Sequence, residues 1–504
     1  MKDLFLGIDI GTSACKAAVF DQAGRVRAEA SQHYAVHQPQ PGWAQQDPED
    51  WWKAAAAAVG ELWQRGIAPA DIAGIAVDGQ SWAAVAVDAQ GCSLCPTPIW
   101  YDTRSQAQCD ELKARIGEQR IFALCGNPVQ PGYELPKILW YKQNWPGVLE
   151  RTSKILSSNG YLTLKLTGQC TQDLAQGYGM FCFDMARGAW DTAMATEMGI
   201  DPDWLCEPVA CHQIVGAVTA EAAAATGLLA GTPVVAGGLD CACGTLGAGV
   251  VAEGQTQEQG GTAGGMSVCQ SSSRAHPALI LSFHVTGSSW LLQGGTVGGG
   301  GVLRWLEGQL CAQERADAAQ RGVGVFDVIN EDCAAVPAGC EGLTFLPYMA
   351  GERSPIWDPQ AKGVYFGLDY TKTRAHLLRA GMEGVAFSLR HNLDTAAQAG
   401  ARVTGLTAMG GAANSALWTQ IKADVTGLPI DVPSSDTATT LGAALLAAVG
   451  VGAYESFEQA VGQTVHVKRT HQPDPERFEL YSRQYETYRE LYEQLKGTMR
   501  RNGQ

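Results

Sequence analysis

The 504-residue chain carries 36 basic against 51 acidic residues, a formal net charge of −15, with 46% hydrophobic and 17% charged residues. That length exceeds one ordinary core and implies two large domains, while the acidic balance excludes the basic stripe of a nucleic-acid or anionic-membrane binder. No apolar run reaches the roughly 20 residues needed to span a bilayer, and MKDLFLGIDIG lacks a signal-peptide pattern. The 15 cysteines show no metal-ligand spacing and imply free thiols in a reducing cytoplasm.

LFLGIDIGTSACKAAVFD, Leu4 to Asp21, reads as a strand carrying Asp9, a Gly11-Thr12-Ser13 turn and a second strand. The amides of such a turn form a concave donor surface for phosphate oxygens. A neighbouring carboxylate repels them, and a cation such as Mg²⁺ reconciles the two. The plainer alternative is a hairpin with Asp9 as a turn acid. RVRAEASQHY adds a third strand, and DPEDWWKAAAAAVGELWQRG predicts a helix starting at Asp47 with acids in its first turn. IAGIAVDGQSWAAVAVDAQG predicts two further strands. Asp110 to Asp173 reads as mostly helical, with ELPKILWYKQNWP ending a helix at Pro146.

GTPVVAGGLDCACGTLGAGV predicts a buried strand, an acid at its end (Asp240) and a small-residue helix. EGQTQEQGGTAGGMSVCQ is again strand, Gly/Thr turn and strand, about 250 residues after the first such unit. This weak internal repeat suggests two related α/β lobes. WLLQGGTVGGGGVLRWLEGQL predicts a Gly-rich turn into a helix, HLLRAGMEGVAFSLRHNLDTAAQAG a long helix, and VTGLTAMGGAANSALWTQIKADVTG a strand, turn and helix. In the tail, Phe478, Tyr481, Tyr485, Tyr488 and Tyr492 recur at helical spacing, which reads as the docking face of a helix on its own domain.

Two Gly/Thr turns, each accompanied by an acid, suit the phosphates of ATP with Mg²⁺ supplying positive charge. The chain has neither a P-loop nor a Rossmann glycine triplet. GIDIGTSACKA, IWYDTRSQAQCDEL, GYELPKILWYKQNWP, GGLDCACGTLGAG, GGTAG, GLTFLPYMAGERSPIWDPQAKGVYFGL, TRAHLLRAGMEGVAFSLRHNLD and GGAANSALWTQIKADVTGLPIDVP follow one another from Leu4 to about Tyr454. In order and spacing they resemble the FGGY carbohydrate kinases of the actin-like ATPase superfamily, and among them the xylulokinases.

The resemblance implies an α/β fold of two actin-like (ribonuclease H-like) lobes with a ligand cleft between them. The expected borders are 1–246 for the N-terminal lobe, 247–454 for the C-terminal lobe and 455–504 for a helical extension on the second lobe. It further implies ATP and Mg²⁺ as cofactors, a sugar or polyol substrate, no nucleic-acid or membrane partner, and a homodimer as an open possibility. Asp240 matches the general base that takes the proton of the sugar hydroxyl, and Asp9, with Asp240, the metal environment. Thr12, Ser13 and Lys16 match the first phosphate turn, and Gly261 and Thr262 the second. Gly300 and Gly301 match positions near the nucleotide, and Gly410, Gly411 and Asn414 the adenosine turn. Substrate contacts fall on Gln80, Ser81, Trp82, Trp100, Asp102, Arg104, Asp240 and Cys241.

Each has a plain rival. Asp240 could be a helix N-cap, Asp102 and Arg104 a surface pair, and Lys137, Glu352 and Arg353 read as structural. Departures from the pattern concentrate in the sugar pocket: Ser81-Trp82 stands where Met-His is usual, Tyr101 and Cys241 replace Asn, and Glu134 replaces a small hydroxyl residue or proline. The expected activity is therefore phosphorylation of a primary hydroxyl of a ketose such as xylulose. Ribulose, L-xylulose, erythrulose or erythritol, and glycerol stand as alternatives, with the altered pocket disfavouring D-xylulose. An actin-like ATP-binding switch without a small substrate is the alternative from a different class.

Overall fold

The computed structural model describes residues 3–435 and 437–502. Contacts divide the chain into two units, residues 1–251 with 269–291 and 437–466, and residues 252–268 with 292–436 and 467–504.

In the first unit, β1 (Leu4–Ile10), β2 (Ala14–Phe20) and β3 (Val26–His33) form the expected antiparallel meander. β1 then pairs in parallel with β4 (Ile72–Gly79), whose other side takes β6 (Pro233–Val235), and β5 (Ile214–Ala217) closes that edge antiparallel. β1 and β4 are apolar almost throughout because they are covered on both faces. On one side lies the helix Pro48–Gln64, capped by the Asp47 side chain, which accepts from the Glu49 amide at 3.0 Å, with Pro48 at its first position.

In the second unit, β7 (Gln255–Gly260) and β8 (Gly264–Gln270) are antiparallel, β9 (Trp290–Thr296) flanks β8, and β10 (Gly405–Met409) joins β7 in parallel. β11 (Ile430–Pro433) continues in parallel and β12 (Val467–His471) closes the edge antiparallel. The sheet orders β3-β2-β1-β4-β6-β5 and β9-β8-β7-β10-β11-β12 have the same plan, so the repeat suggested by the two Gly/Thr turns is a repeat of whole sheets. The helix Pro475–Asn502 docks on this unit through Tyr481, Tyr485, Tyr488 and Tyr492, all at most 6% exposed. The Tyr348 hydroxyl donates to that of Tyr488 at 2.6 Å, and the Tyr481 hydroxyl donates to Glu383 at 2.8 Å.

The sequence implies three uninterrupted segments, whereas the compact units interleave. The physical reason is the helix Ala438–Gly450, which returns the chain to the first unit and packs on β1 and on the helix Asp240–Gly247 without room for side chains. A Cβ at Gly7 would lie 2.1 Å from the Thr440 carbonyl oxygen, and one at Gly442 would lie 1.8 Å from that of Cys243.

These contacts reverse the usual effect of a helical Gly→Ala change. Gly60 lies inside the helix Pro48–Gln64, and a Cβ there would meet nothing within 4 Å, so Gly60→Ala should stabilise by roughly 0.5–1 kcal/mol through helix propensity. Gly442→Ala, also helical, should instead destabilise by about 2 kcal/mol or more, because backbone must move. Denaturant unfolding of the two variants checks the opposite signs.

Candidate active site

The first unit aligns its acids by register. Asp9 on β1 lies directly opposite Lys16 on β2 and Asp78 on β4, so the three side chains share one face at one level of the sheet. The short strand Gly238–Leu239 pairs beside them, with Gly238 opposite Asp78, and delivers Asp240 as the first residue of its helix. Asp9 is 7% exposed and Asp78 is fully buried, with no hydrogen-bond donor on either carboxylate oxygen of Asp78. Burial pushes the carboxyl of Asp78 well up, reinforced by the charges of Asp9 and Asp240. Asp9 is also raised by burial, against the pull of Lys16. Asp240 is pushed up to about 7, first by burial and then by Asp9, with the Cys241 amide, 2.6 Å away, opposing.

Asp240 is not the N-cap of its helix. That position is Leu239, which makes no side-chain capping bond. The Asp240 carboxylate accepts one helix amide, that of Cys241.

The turn after β1 is braced from behind. The Thr12 carbonyl accepts from Gln46 at 2.8 Å, and the Thr12 hydroxyl accepts from the Trp100 indole at 3.0 Å. Ser13 and Lys16 are exposed. Gln80 donates its backbone N–H to the Ile10 carbonyl and its side-chain amide to Gln46, while its own Oε1 is buried without a partner. Trp82 adopts φ 60° and stacks on Tyr133 with ring centroids 4.0 Å apart; Tyr178 meets it edge-on. The Tyr178 hydroxyl also lies against Ser81, with Asp240 and Cys241 within electrostatic range. The structure thus gathers Ser81, Trp82, Asp240 and Cys241 around one tyrosine. Lys137 is buried and donates to the carbonyls of Trp82 and Ile99 at 2.8 and 2.9 Å, a structural role as expected.

Asp102 and Arg104 are both fully buried rather than a surface pair. The Asp102 carboxylate accepts from the Ala44 amide, from the Arg104 amide and from two nitrogens of the Arg104 guanidinium, all at 2.6–3.0 Å. A carboxylate has about four acceptor sites, so Asp102 is occupied by the protein. Arg104 is clamped between Trp43, 3.9 Å from the ring centroid, and Trp140 at 5.1 Å. The pair braces the segment that carries Trp100.

In the second unit Gly261, Thr262, Gly300, Gly411 and Asn414 line one cavity of about 560 Å³, a size suited to a nucleotide. The Gly300 and Gly301 amides donate to the carbonyls of Gly261 and Thr262, tying the helix Gly300–Leu310 onto the turn. Gly410, at φ 84°, sits where a Cβ would meet the Gly260 carbonyl oxygen at 2.8 Å. Among the further lining residues that sequence reasoning missed are Arg304, Phe326 and Asn330. Arg304 donates to the Thr262 hydroxyl, and the Ser415 hydroxyl donates to the Asn330 carboxamide at 2.8 Å. Arg304 was detectable as a cation one turn into a helix that begins within a run of four glycines. Phe326 and Asn330 belong to no motif.

Two sheets of one repeated plan, each with a Gly/Thr turn, and a nucleotide-sized cavity beside one of them fit a nucleotide-binding α/β protein. Residues 4–247 match the N-terminal domain and residues 260–451 the C-terminal domain of the FGGY family of carbohydrate kinases, and the chain belongs to that family. It is 32% identical to the xylulose kinases of Bacillus subtilis, over 97% of both chains, and of Escherichia coli, over 98% of this chain and 99% of that one. A crystal structure of xylulose kinase from Rhodospirillum rubrum, 31% identical, superposes with a TM-score of 0.90 over 99% of this chain and 100% of that one. The chain is accordingly a phosphotransferase of the xylulokinase type, with the two-lobed actin-like α/β fold that its motifs implied.

If the Asp102–Arg104 pair is a brace, Asp102→Asn should destabilise by about 3 kcal/mol or more, because it strands a buried guanidinium. The melting temperature checks this. Unchanged stability with a raised KM for sugar alone would place Asp102 on the substrate.

Proposed function

We propose that the protein transfers the γ-phosphoryl group of ATP to a primary hydroxyl of a ketose of the xylulose type, with Asp240 as general base. The observation that supports this most is the half-buried Asp240 at the start of its helix, with its carboxyl pushed up to about 7, since a base is most effective when its pKa lies near the working pH. Adenosine would occupy the second unit's cavity at the Gly410-Gly411-Asn414 turn. Its phosphates would meet the turn around Gly261 and Thr262, where Arg304 supplies positive charge. Thr12, Ser13 and Lys16 would hold the terminal phosphate. Catalysis is then mostly positioning and charge stabilisation.

The acids fit a divalent cation. Asp78 presents two buried carboxylate oxygens without donors beside Asp9. Among the described residues no group of three His, Cys, Asp or Glu is arranged to hold a metal by itself. That pattern suits Mg²⁺, which is commonly bound by one or two carboxylates plus phosphate oxygens. Asp9, with Asp240 near it, would hold the ion, which supplies neutralising charge for the transferred group.

Toward the sugar, Gln80 offers an unpartnered carbonyl oxygen, and Ser81, Trp82, Trp100 and Cys241 offer the remaining surface. The Asp102–Arg104 brace stands behind them. A nucleotide-driven switch without a substrate would have no use for this set. ATP turnover measured with D-xylulose, L-xylulose, ribulose, erythrulose and glycerol discriminates the two, and turnover indifferent to every sugar would overturn the kinase reading.

Asp240→Asn should lower kcat by roughly 10² or more while ATP affinity stays within about twofold. The base must be unprotonated, so kcat/KM should fall with decreasing pH below an apparent pKa of about 7, or lower where a bound cation favours the charged form. A pH profile of wild type, with the acidic limb absent from the residual activity of the variant, checks the sign.

Trp82 carries one N–H donor, no acceptor and a large face, and that face is already committed to Tyr133. It therefore fills space and provides no acceptor for a hydroxyl. Trp82→His should shift kcat/KM toward D-xylulose relative to the other sugars by about tenfold, the scale of one recovered hydrogen bond. D-xylulose leading clearly in the unmodified protein would show that Trp82 merely backs the pocket.

A further inference from the structure

Residues Gln172–Asp173 and Pro208–Val209 form a short parallel ladder with Gln172 opposite Pro208 and Asp173 opposite Val209. The Gln172 amide donates to the Glu207 carbonyl at 3.1 Å. Cys170 and Cys206 each stand two residues before the start of one of these strands, on the segments that lead into the ladder. Neighbouring strands lie about 4.8 Å apart, inside the roughly 4.4–6.8 Å Cα window of a disulfide. Cys206 belongs to an apolar cluster against which Cys170 packs, and the two thiols perturb one another's titration. Cys206 is buried at 4% exposure, with its carbonyl fixed by the Trp190 indole at 2.6 Å, whereas Cys170 is half-buried. Lys154 is held beside them by the carbonyls of Asp203 and Leu205 at 2.7 and 3.1 Å.

The neighbouring Cys206 thiol and then the Lys154 charge bring the Cys170 thiol down to about 7. Burial pushes other thiols the opposite way, Cys95 and Cys109 to about 12. A low-pKa, accessible thiol beside a second thiol is the arrangement of a redox-sensing cysteine and its resolving partner.

We propose that Cys170 and Cys206 are a peroxide-oxidised dithiol site that closes a disulfide across this ladder. The Cys170 thiolate attacks one oxygen of hydrogen peroxide, the O–O bond breaks, hydroxide leaves and Cys170 becomes a sulfenic acid. Cys206 gives its proton to that hydroxide and attacks the Cys170 sulfur. The S–S bond forms, the S–O bond breaks, and the departing hydroxide takes up the proton left in solution. Two thiols lose two electrons and two protons, and the peroxide becomes two waters.

The full-length protein, reduced, freed of reductant and exposed to hydrogen peroxide, should yield a Cys170–Cys206 cross-link on peptide mapping by mass spectrometry, lighter by two hydrogens and reversed by dithiothreitol. It should form about tenfold faster than any oxidation at Cys92, the exposed thiol with no such neighbour. In Cys206→Ser, dimedone should trap the sulfenic acid at Cys170, and in Cys170→Ser, Cys206 should stay reduced. Oxidation that begins at Cys92, or a wild-type Cys170 that is oxidised while Cys206 remains a free thiol, overturns the proposal. The wild-type map decides this even if a serine variant fails to fold.

Discussion

Asp9 and Asp78 stand side by side on adjacent parallel strands, buried, with Asp240 arriving at the end of the neighbouring short strand. Like charges in so dry a place repel, and each carboxylate loses its hydration, so an unpaired buried charge costs several kcal/mol. Lys16, opposite Asp9 on the other side, offsets part of that cost. The rest must be met by a proton or by a cation. On the proposed reading a cation would relieve that strain and bring phosphate with it, which in a chain of net charge −15 is an economical way to hold a polyanion.

Such strain persists only where the surrounding backbone cannot move away from it. Here the rigidity comes from glycines that let backbone meet backbone. Gly7 and Gly442 admit the helix Ala438–Gly450 against β1 and the helix Asp240–Gly247, and Gly237, just before the Asp240 strand, sits where a Cβ would fall 1.8 Å from the Val77 carbonyl oxygen. The second unit uses the same device for a different end. There Gly299 and Gly300 let the helix Gly300–Leu310 approach the Gly261-Thr262 turn, and Arg304, one turn along, reaches the Thr262 hydroxyl. One unit stores carboxylates and the other presents amides and a cation, which is a division of labour built on one repeated sheet plan.

The strands of both meanders, the Asp47 cap and the tyrosine stripe of the last helix were legible because each has a local cause: buried periodicity, an acid before Pro48, aromatics at spacings of three and four. Asp78 escaped notice because an acid before glycine in AVDG reads as a turn residue, and only the register with Asp9 shows it inside a strand. The full occupation of Asp102 was equally hidden, since Ala44 and Trp43 are about 60 residues away in sequence and such non-local partners leave no local pattern. The interleaving of the units has the same origin. TTLGAALLAAVG is legible as a buried helix, but its partners, Gly7 and Cys243, are set by packing alone.

The wall around Trp82 shows how specificity can be carried by shape. A non-glycine residue at φ 60° is held in a sparsely populated conformation that costs on the order of 1 kcal/mol or more. The surroundings over-determine it: Lys137 fixes the Trp82 carbonyl, Tyr133 fixes the ring face, and Gly179 leaves no space beside the ring, since a Cβ there would lie 3.0 Å from Trp82 Cδ1. The same Lys137 holds the Ile99 carbonyl, next to Trp100, whose indole in turn grips Thr12 of the phosphate turn. A single buried lysine therefore ties Trp82 and the Trp100 segment to the turn that carries Thr12. An indole locked in this way cannot swing aside, so if Trp82 faces the sugar as proposed, it acts through the volume it occupies, with hydrogen-bond selection left to Gln80 and Asp240.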